Sequence, residues 1–262
     1  DLNELIDRET IKPNSFLLEK NIADLTILVT GAGGSIGSEL CKQIILNKPK
    51  RLILLDNSET MLYKIYHELI SITEIYNRKY SVDHNDNFLI PLLISVQDTN
   101  GLRKVFSSWR PDVVYHAAAF KHVPLVEFNI GAGISNNVIG TINCANIALE
   151  YDVKYFVLVS TDKAVRPTNF MGATKRLAEL SLQSLQGSQS NKNTCFSIVR
   201  FGNVLGSSGS VVPLFRKQIE FGGPITLTHE NVTRYFMTIK EAAQLVIQSS
   251  SISKGGEVFL LD

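Results

Sequence analysis

No stretch of this sequence approaches the ~20 consecutive apolar residues that a bilayer-spanning helix needs. The polar, acidic opening DLNELIDRET is no secretory signal either. Cysteine is scarce. Cys41, Cys144 and Cys195 stand alone, odd in number and without paired spacing, which argues against a disulfide framework or a zinc site and for buried neutral thiols in a reducing compartment. An excess of either charge is missing as well: 26 Lys and Arg against 25 Asp and Glu leave a net charge of +1. Neither nucleic acid nor an acidic membrane surface is marked as a partner. Internal repeats and low-complexity tracts are absent. The expectation is a soluble cytoplasmic chain. Because it starts at Asp1 and not at methionine, it is expected to be a piece of a longer protein whose upstream part could hold it at the cytoplasmic face of the inner membrane.

What is present is a chain of 262 residues, 44% hydrophobic, long enough to bury a large core. Short apolar runs alternate with longer amphipathic stretches, the pattern of an α/β, Rossmann-type doubly wound parallel sheet of about seven strands. The strands read as residues 26–30, 51–56, 88–95, 112–118, 155–160, 196–201 and 257–261. Helices are expected over 35–47, 59–76, 100–109, 134–150 and 174–186. Residues 77–87 and 187–194 are rich in turn formers and read as surface loops. The domain reading is an N-terminal arm over 1–24, a dinucleotide-binding body over 25–205, a small substrate-binding excursion over 206–235 built around the short helix VPLFRKQIEF, and a return to the body over 236–262.

The strongest local signal is TILVTGAGGSIGSEL, a strand that runs into Gly31, Gly33, Gly34 and Gly37 and then into a helix. Glycine allows the tight turn and the close approach of a pyrophosphate, whose charge then meets the unpaired amides of the helix start. Asp56 ends the next strand, where its carboxylate could accept bonds from an adenosine ribose. That acid favours NAD over NADP, since a 2′-phosphate would meet its charge, and Asn57 and Ser58 supply nothing positive to offset it.

With T-G-x-x-G-x-x-G at Thr30, Gly31, Gly34 and Gly37, the chain resembles the extended branch of the short-chain dehydrogenase/reductase family. More narrowly, TGAGGSIGSEL, HAAAFKHVP, STDKAVRPTNFMGATKR, VRFGNVLGSSGSVVPLF and GGPITLTHENVTRYFMT are similar to the UDP-N-acetylglucosamine 4,6-dehydratases. The likeness is to their large membrane-linked subgroup, which serves bacillosamine-type sugar and polysaccharide biosynthesis. The resemblance implies a cofactor held by Gly31, Gly33, Gly34, Ser35, Ile36, Gly37, Asp56, Asn57, Ser58, Val96, Ala117, Ala118, Ala119 and Lys175. It implies that His116 lies beside the cofactor, and that Lys121, His122 and Asn203 lie near a UDP-N-acetylglucosamine substrate. Without it, His116 and His122 read as structural histidines, since their spacing is no helical metal pair, and no metal is expected. Arg200, Arg216 and Arg234 are of the type that pairs with a sugar diphosphate, and Arg234, in TRYF, is favoured.

The segment STDKAVRPTNFMGATK departs from the superfamily, whose acid/base tyrosine is replaced by Met171. A thioether takes no proton. Methionine is the subgroup's residue here, and Lys175 follows one helical turn later on the same face if the helix has begun. The reaction implied by the resemblance oxidises C4, loses the C5 proton and the C6 hydroxyl as water, and returns the stored hydride to C6, with retention at C5. Asp162, if its pKa is raised by burial, is then the acid toward the departing oxygen, and Lys163, if neutral, is the base for C5. Thr161 holds the C4 oxygen and relays its proton to Lys175 or a water chain. Adjacent opposite charges are usually a surface pair worth about 0 to 1 kcal/mol; the place of Asp162 and Lys163 at a strand's carboxyl end argues for a site instead. The competing readings are a UDP-sugar 4-epimerase, which needs no elimination acid, and a non-catalytic NAD-sensing domain.

Overall fold

A computed structural model describes residues 12–80, 88–188, 193–207, 209, 211–227, 229 and 235–261, the side chains of 76–80 excepted. The strands are Thr26–Thr30 (β1), Arg51–Asp56 (β2), Leu89–Leu93 (β3), Val113–His116 (β4), Tyr155–Thr161 (β5), Cys195–Phe201 (β6), Asn203–Leu205 (β7), Phe236–Thr238 (β8) and Val258–Leu261 (β9). Around them run Ser15–Lys20 (α1), Ser35–Ile45 (α2), Glu59–Tyr80 (α3), Thr99–Trp109 (α4), Val123–Phe128 (α5) and Ile130–Ile134 (α6). They are followed by Gly140–Glu150 (α7), Phe170–Ser188 (α8), Val211–Glu220 (α9) and Ile239–Ile252 (α10). A π turn, Ser135–Ile139, joins α6 to α7.

Seven strands form one parallel sheet in the order β3-β2-β1-β4-β5-β6-β9. The sheet is buried on both faces, which explains why its strands read as continuous apolar runs. Side chains still alternate: Ile27, Val29, Leu52, Leu54, Val113 and Tyr115 join a core against α2, α3 and α10, while Leu28, Ile53, Leu55, Val114, Phe156 and Leu158 join a second against α4, α7 and α8. The strand order reverses between β1 and β4, and the crevice above their carboxyl ends is where such sheets take ligands. A separate two-stranded sheet pairs β7 with β8. After β6 the chain thus leaves the main sheet and returns to it through α10 and β9.

Three local departures from the sequence pattern have physical causes. Helix α8 starts at Phe170 and not at 174, because the Asn169 side chain accepts the Gly172 N–H and caps it. Helix α10 was not expected; in it Ser249 and Ser250 each bond a carbonyl three residues back, and Thr238 caps the start by accepting from Glu241 N. Within the N-terminal stretch, α1 docks on α10 through Asn21 Nδ2 to the Ser250 carbonyl (2.8 Å) and Lys20 Nζ to the Ser251 carbonyl (2.8 Å). The three cysteines are free. Burial pushes the thiols up, that of Cys144 to about 12. Among the described residues no helix is long and apolar enough to cross a membrane.

Candidate active site

The glycine turn and the loop after β4 flank the crevice and touch. Gly31 has φ 66°, and a Cβ there would lie 2.7 Å from the Ala118 backbone, so only glycine lets the two loops close on each other. Helix α2 then begins behind Gly34, which offers no side-chain cap, leaving first-turn amides suited to an anion. Asp56, 8% exposed, accepts from Gly33 N (2.8 Å) through Oδ2 and from Ser58 N (2.9 Å) through Oδ1. Beside it lies a cavity of about 190 Å³ lined by Gly31, Gly34, Asp56, Asn57, Met61, Ile94, Val96 and Ala117 to Ala119. Its volume and lining suit a flat heterocycle with a ribose against Asp56.

A larger cavity of about 790 Å³ continues from it. Gly34, Ser35, Ile36 and Gly37 line one side, and Thr161, Lys163, Met171 and Lys175 line another. Lys121, His122 and Asn203 line it as well. Of the residues expected at the site, Gly33 and Ser58 lie off both walls and act by holding Asp56, His116 lies off them as well, and Asp162 is off the walls but hydrogen-bonded to Thr161 and Lys163, which line the larger one. Arg234 is outside the described residues. Among the described residues no three His, Cys, Asp or Glu side chains are grouped to hold a metal ion.

Lys175 is 5% exposed, one turn after Met171, and donates from Nζ to the Val159 carbonyl at 2.6 Å. Burial pulls its pKa down to about 8 against the opposing pull of Glu179. His116 is fully buried. The Thr141 hydroxyl donates its single proton to the Asn137 carbonyl (2.7 Å), so it accepts from His116 Nε2 (3.0 Å), and Nδ1 in turn accepts from Thr30 Oγ1 (2.8 Å). Burial, helped by the Lys175 charge, holds the imidazole pKa at about 3. It is a neutral post between β1, β4 and α7.

The turn Asp162–Ala164 follows β5 directly. Thr161 Oγ1 donates to Asp162 Oδ1 (2.8 Å), and Lys163 Nζ donates to the same oxygen (3.0 Å) and to Asn203 Oδ1 (3.3 Å). The raised pKa expected for Asp162 is not found. Its side chain is 44% exposed, and partial burial is outweighed by the Thr161 hydroxyl and the Lys163 cation, which hold the carboxyl below its ordinary value. The Thr161 proton also points at Asp162, whereas Lys175 Nζ is engaged by Val159. Arg200 is likewise not placed for a diphosphate: its Nε–Nη2 edge is spent on buried Glu179, and it lines neither cavity. Arg216 lies on exposed α9, off both cavity walls.

Sequence reading missed several groups here. Met61, in the first turns of α3, lines both cavities. Asn137 accepts from Phe120 N (2.8 Å) and donates to the Phe120 carbonyl (3.0 Å) and Thr174 Oγ1 (3.0 Å), tying the loop after β4 to α8. The spacing Lys175 to Glu179, one turn on one face, was the available signal for Glu179.

The family model described as polysaccharide biosynthesis protein matches residues 27–262. The capsular polysaccharide biosynthesis protein CapD of Staphylococcus aureus is 47% identical over 262 residues, 100% of this chain and 42% of that protein. A UDP-N-acetylglucosamine 4,6-dehydratase (inverting) of Campylobacter jejuni is 34% identical over 236 residues, 89% of this chain and 66% of that protein. The chain therefore spans less than half of the first relative and about two thirds of the second. Among solved structures, Pen from Bacillus thuringiensis superposes with a TM-score of 0.80 at 33% identity, covering 92% of this chain and 70% of that one.

Proposed function

The chain belongs to the polysaccharide biosynthesis protein family, and we propose that it carries the site of a nicotinamide-dependent 4,6-dehydratase of the extended short-chain dehydrogenase/reductase type, acting on UDP-N-acetylglucosamine. One observation carries the reading. Where the superfamily tyrosine is replaced by Met171, a hydroxyl and an ammonium meet on a single oxygen of Asp162 at the edge of the larger cavity. Neither an epimerase nor a sensing domain needs that second acid/base pair.

The residues present fit NAD. The glycine turn and open start of α2 suit its pyrophosphate, the 190 Å³ cavity its adenine, Asp56 its adenosine ribose, and Lys175 its second ribose. When bound, it supplies reversible two-electron oxidation and reduction of the sugar carbons. The chain's own residues move the protons. Thr161 Oγ1 accepts the C4 hydroxyl proton as it passes its own to Asp162 Oδ1, for which the hydrogen bond already exists. Asp162, ionised in the resting site, is thereby loaded and delivers that proton to the departing C6 oxygen. Lys163, steered by Asn203 and entering the cycle as the neutral amine, takes the C5 proton and gives it back. The water lost is thus the C6 hydroxyl plus the C4 hydroxyl proton, and nothing else is consumed.

Incubating the full-length protein with UDP-N-acetylglucosamine and NAD and weighing the product tests this. Loss of one water is expected; an isomer of unchanged mass would make it an epimerase, and intact NAD binding without turnover a sensor. Two further results follow. Asp56→Asn should weaken NAD binding about tenfold while sparing NADP, since one charge-assisted acceptor is lost; titration of both cofactors measures it. NAD affinity should also fall as the pH rises through about 8, where Lys175 loses its charge and one donor. Lys175→Met should bind more weakly at all pH values and lack that step, read by calorimetry.

A further inference from the structure

One buried ionised group has no part in these steps. Glu179 is fully buried on α8, one turn beyond Lys175. Its carboxylate accepts four hydrogen bonds: from Ser160 Oγ (2.6 Å) and Arg200 Nε (2.8 Å) on Oε1, and from Arg200 Nη2 and Arg176 Nη1 (3.1 Å) on Oε2. Arg200 alone would satisfy the charge, since a forked guanidinium completes a carboxylate. Yet the site's own Ser160 is drawn in. Ser160 lines the larger cavity, immediately precedes Thr161, and is the register partner of Arg200 across β5 and β6. One carboxylate therefore fastens the carboxyl ends of two strands to the helix that carries Lys175.

We propose that Glu179 is a positioning residue of the site, fixing the end of β5 that bears Thr161 against Lys175 and setting the charge field in which Lys175 works. The inference rests on the reading of Lys175 as the cofactor lysine and of the turn after Thr161 as the reacting one. Its field effect is visible in Lys175, where Glu179 opposes the downward pull of burial. The four hydrogen bonds from Arg200, Ser160 and Arg176 outweigh burial and keep Glu179 itself ionised.

The test uses Glu179→Gln and Ser160→Ala in the full-length protein, with kcat, KM, thermal midpoint and the pH dependence of NAD affinity as readouts. Glu179→Gln should move the pH at which NAD affinity falls downward by about one unit, because a stabilising negative charge is gone. Ser160→Ala keeps the arginine pair and should lower kcat ~10-fold with KM within about twofold, the signature of lost alignment. If Glu179→Gln does not fold, Ser160→Ala decides alone. An unmoved NAD step in a folded Glu179→Gln, or an unchanged kcat in Ser160→Ala, overturns the proposal. If the wild type turns over no UDP-sugar, the dehydratase reading fails, and the NAD step still decides the role of Glu179.

Discussion

Replacing Lys163 with alanine is expected to slow water loss from the sugar about a thousandfold while leaving NAD affinity within about twofold, a loss within the range of a missing general base. The expectation follows from where the ammonium sits. Nζ reaches into the larger cavity from a short turn, held between Asp162 Oδ1 and Asn203 Oδ1, and no contact ties it to the glycine turn or to Asp56. Binding of the dinucleotide is therefore spared and proton removal from C5 is lost. Turnover in heavy water separates the step: the wild type should place solvent deuterium at C5 of the product, and Lys163→Ala should place almost none. Asp162→Asn should fail earlier, because Thr161 then has no carboxylate to receive its proton. Normal deuterium incorporation by Lys163→Ala would remove Lys163 from the proposed chemistry.

The parts of this molecule that read directly from sequence are those set by near neighbours in the chain. Strands β1 and β2 fall where their apolar runs lie, since a strand buried on both faces needs little beyond Ile, Leu and Val between turn signals. The glycine turn was legible for the same reason, with strand, turn, helix and the acid at Asp56 in one βαβ unit. Met171 and Lys175 share a face because Asn169 starts α8 early enough, a cap that could have been read from Asn169 itself. Partner choice between distant segments was not legible. Arg200 looked available for a diphosphate until Glu179, 21 residues away in the chain, claimed it. The sign of the Asp162 shift depended on how exposed the turn is and on two donors converging on one oxygen, and spacing carries neither. Helix α10 shows a third kind of miss, in which the local cap signal at Thr238 and Glu241 was present and went unread.

Gly172→Ala is expected to lower kcat about a hundredfold while NAD affinity stays within about threefold. The residue lies inside α8, where alanine would ordinarily stabilise the helix by about 1 kcal/mol. Here a Cβ would stand 2.3 Å from the Lys163 carbonyl oxygen and 3.2 Å from Pro167 Cβ. The oxygen belongs to the backbone of the reacting turn, so no side chain can swing away to make room. Relief must come from moving the turn off the helix or tilting the start of α8. Overpacking of this kind costs about 1 to 3 kcal/mol, enough to cancel the helix gain. Either movement shifts Lys163 relative to Lys175, and misplacement by about 1 Å is worth about a hundredfold in rate. The nucleotide end of the crevice, built from β1, α2 and Asp56, is untouched. A thermal midpoint, a kcat and an NAD titration on the same preparation separate the contributions. Should the variant melt higher than wild type and keep its kcat, the close approach of α8 to the turn would be incidental packing, and Lys163 would not need the placement on which the proton path depends.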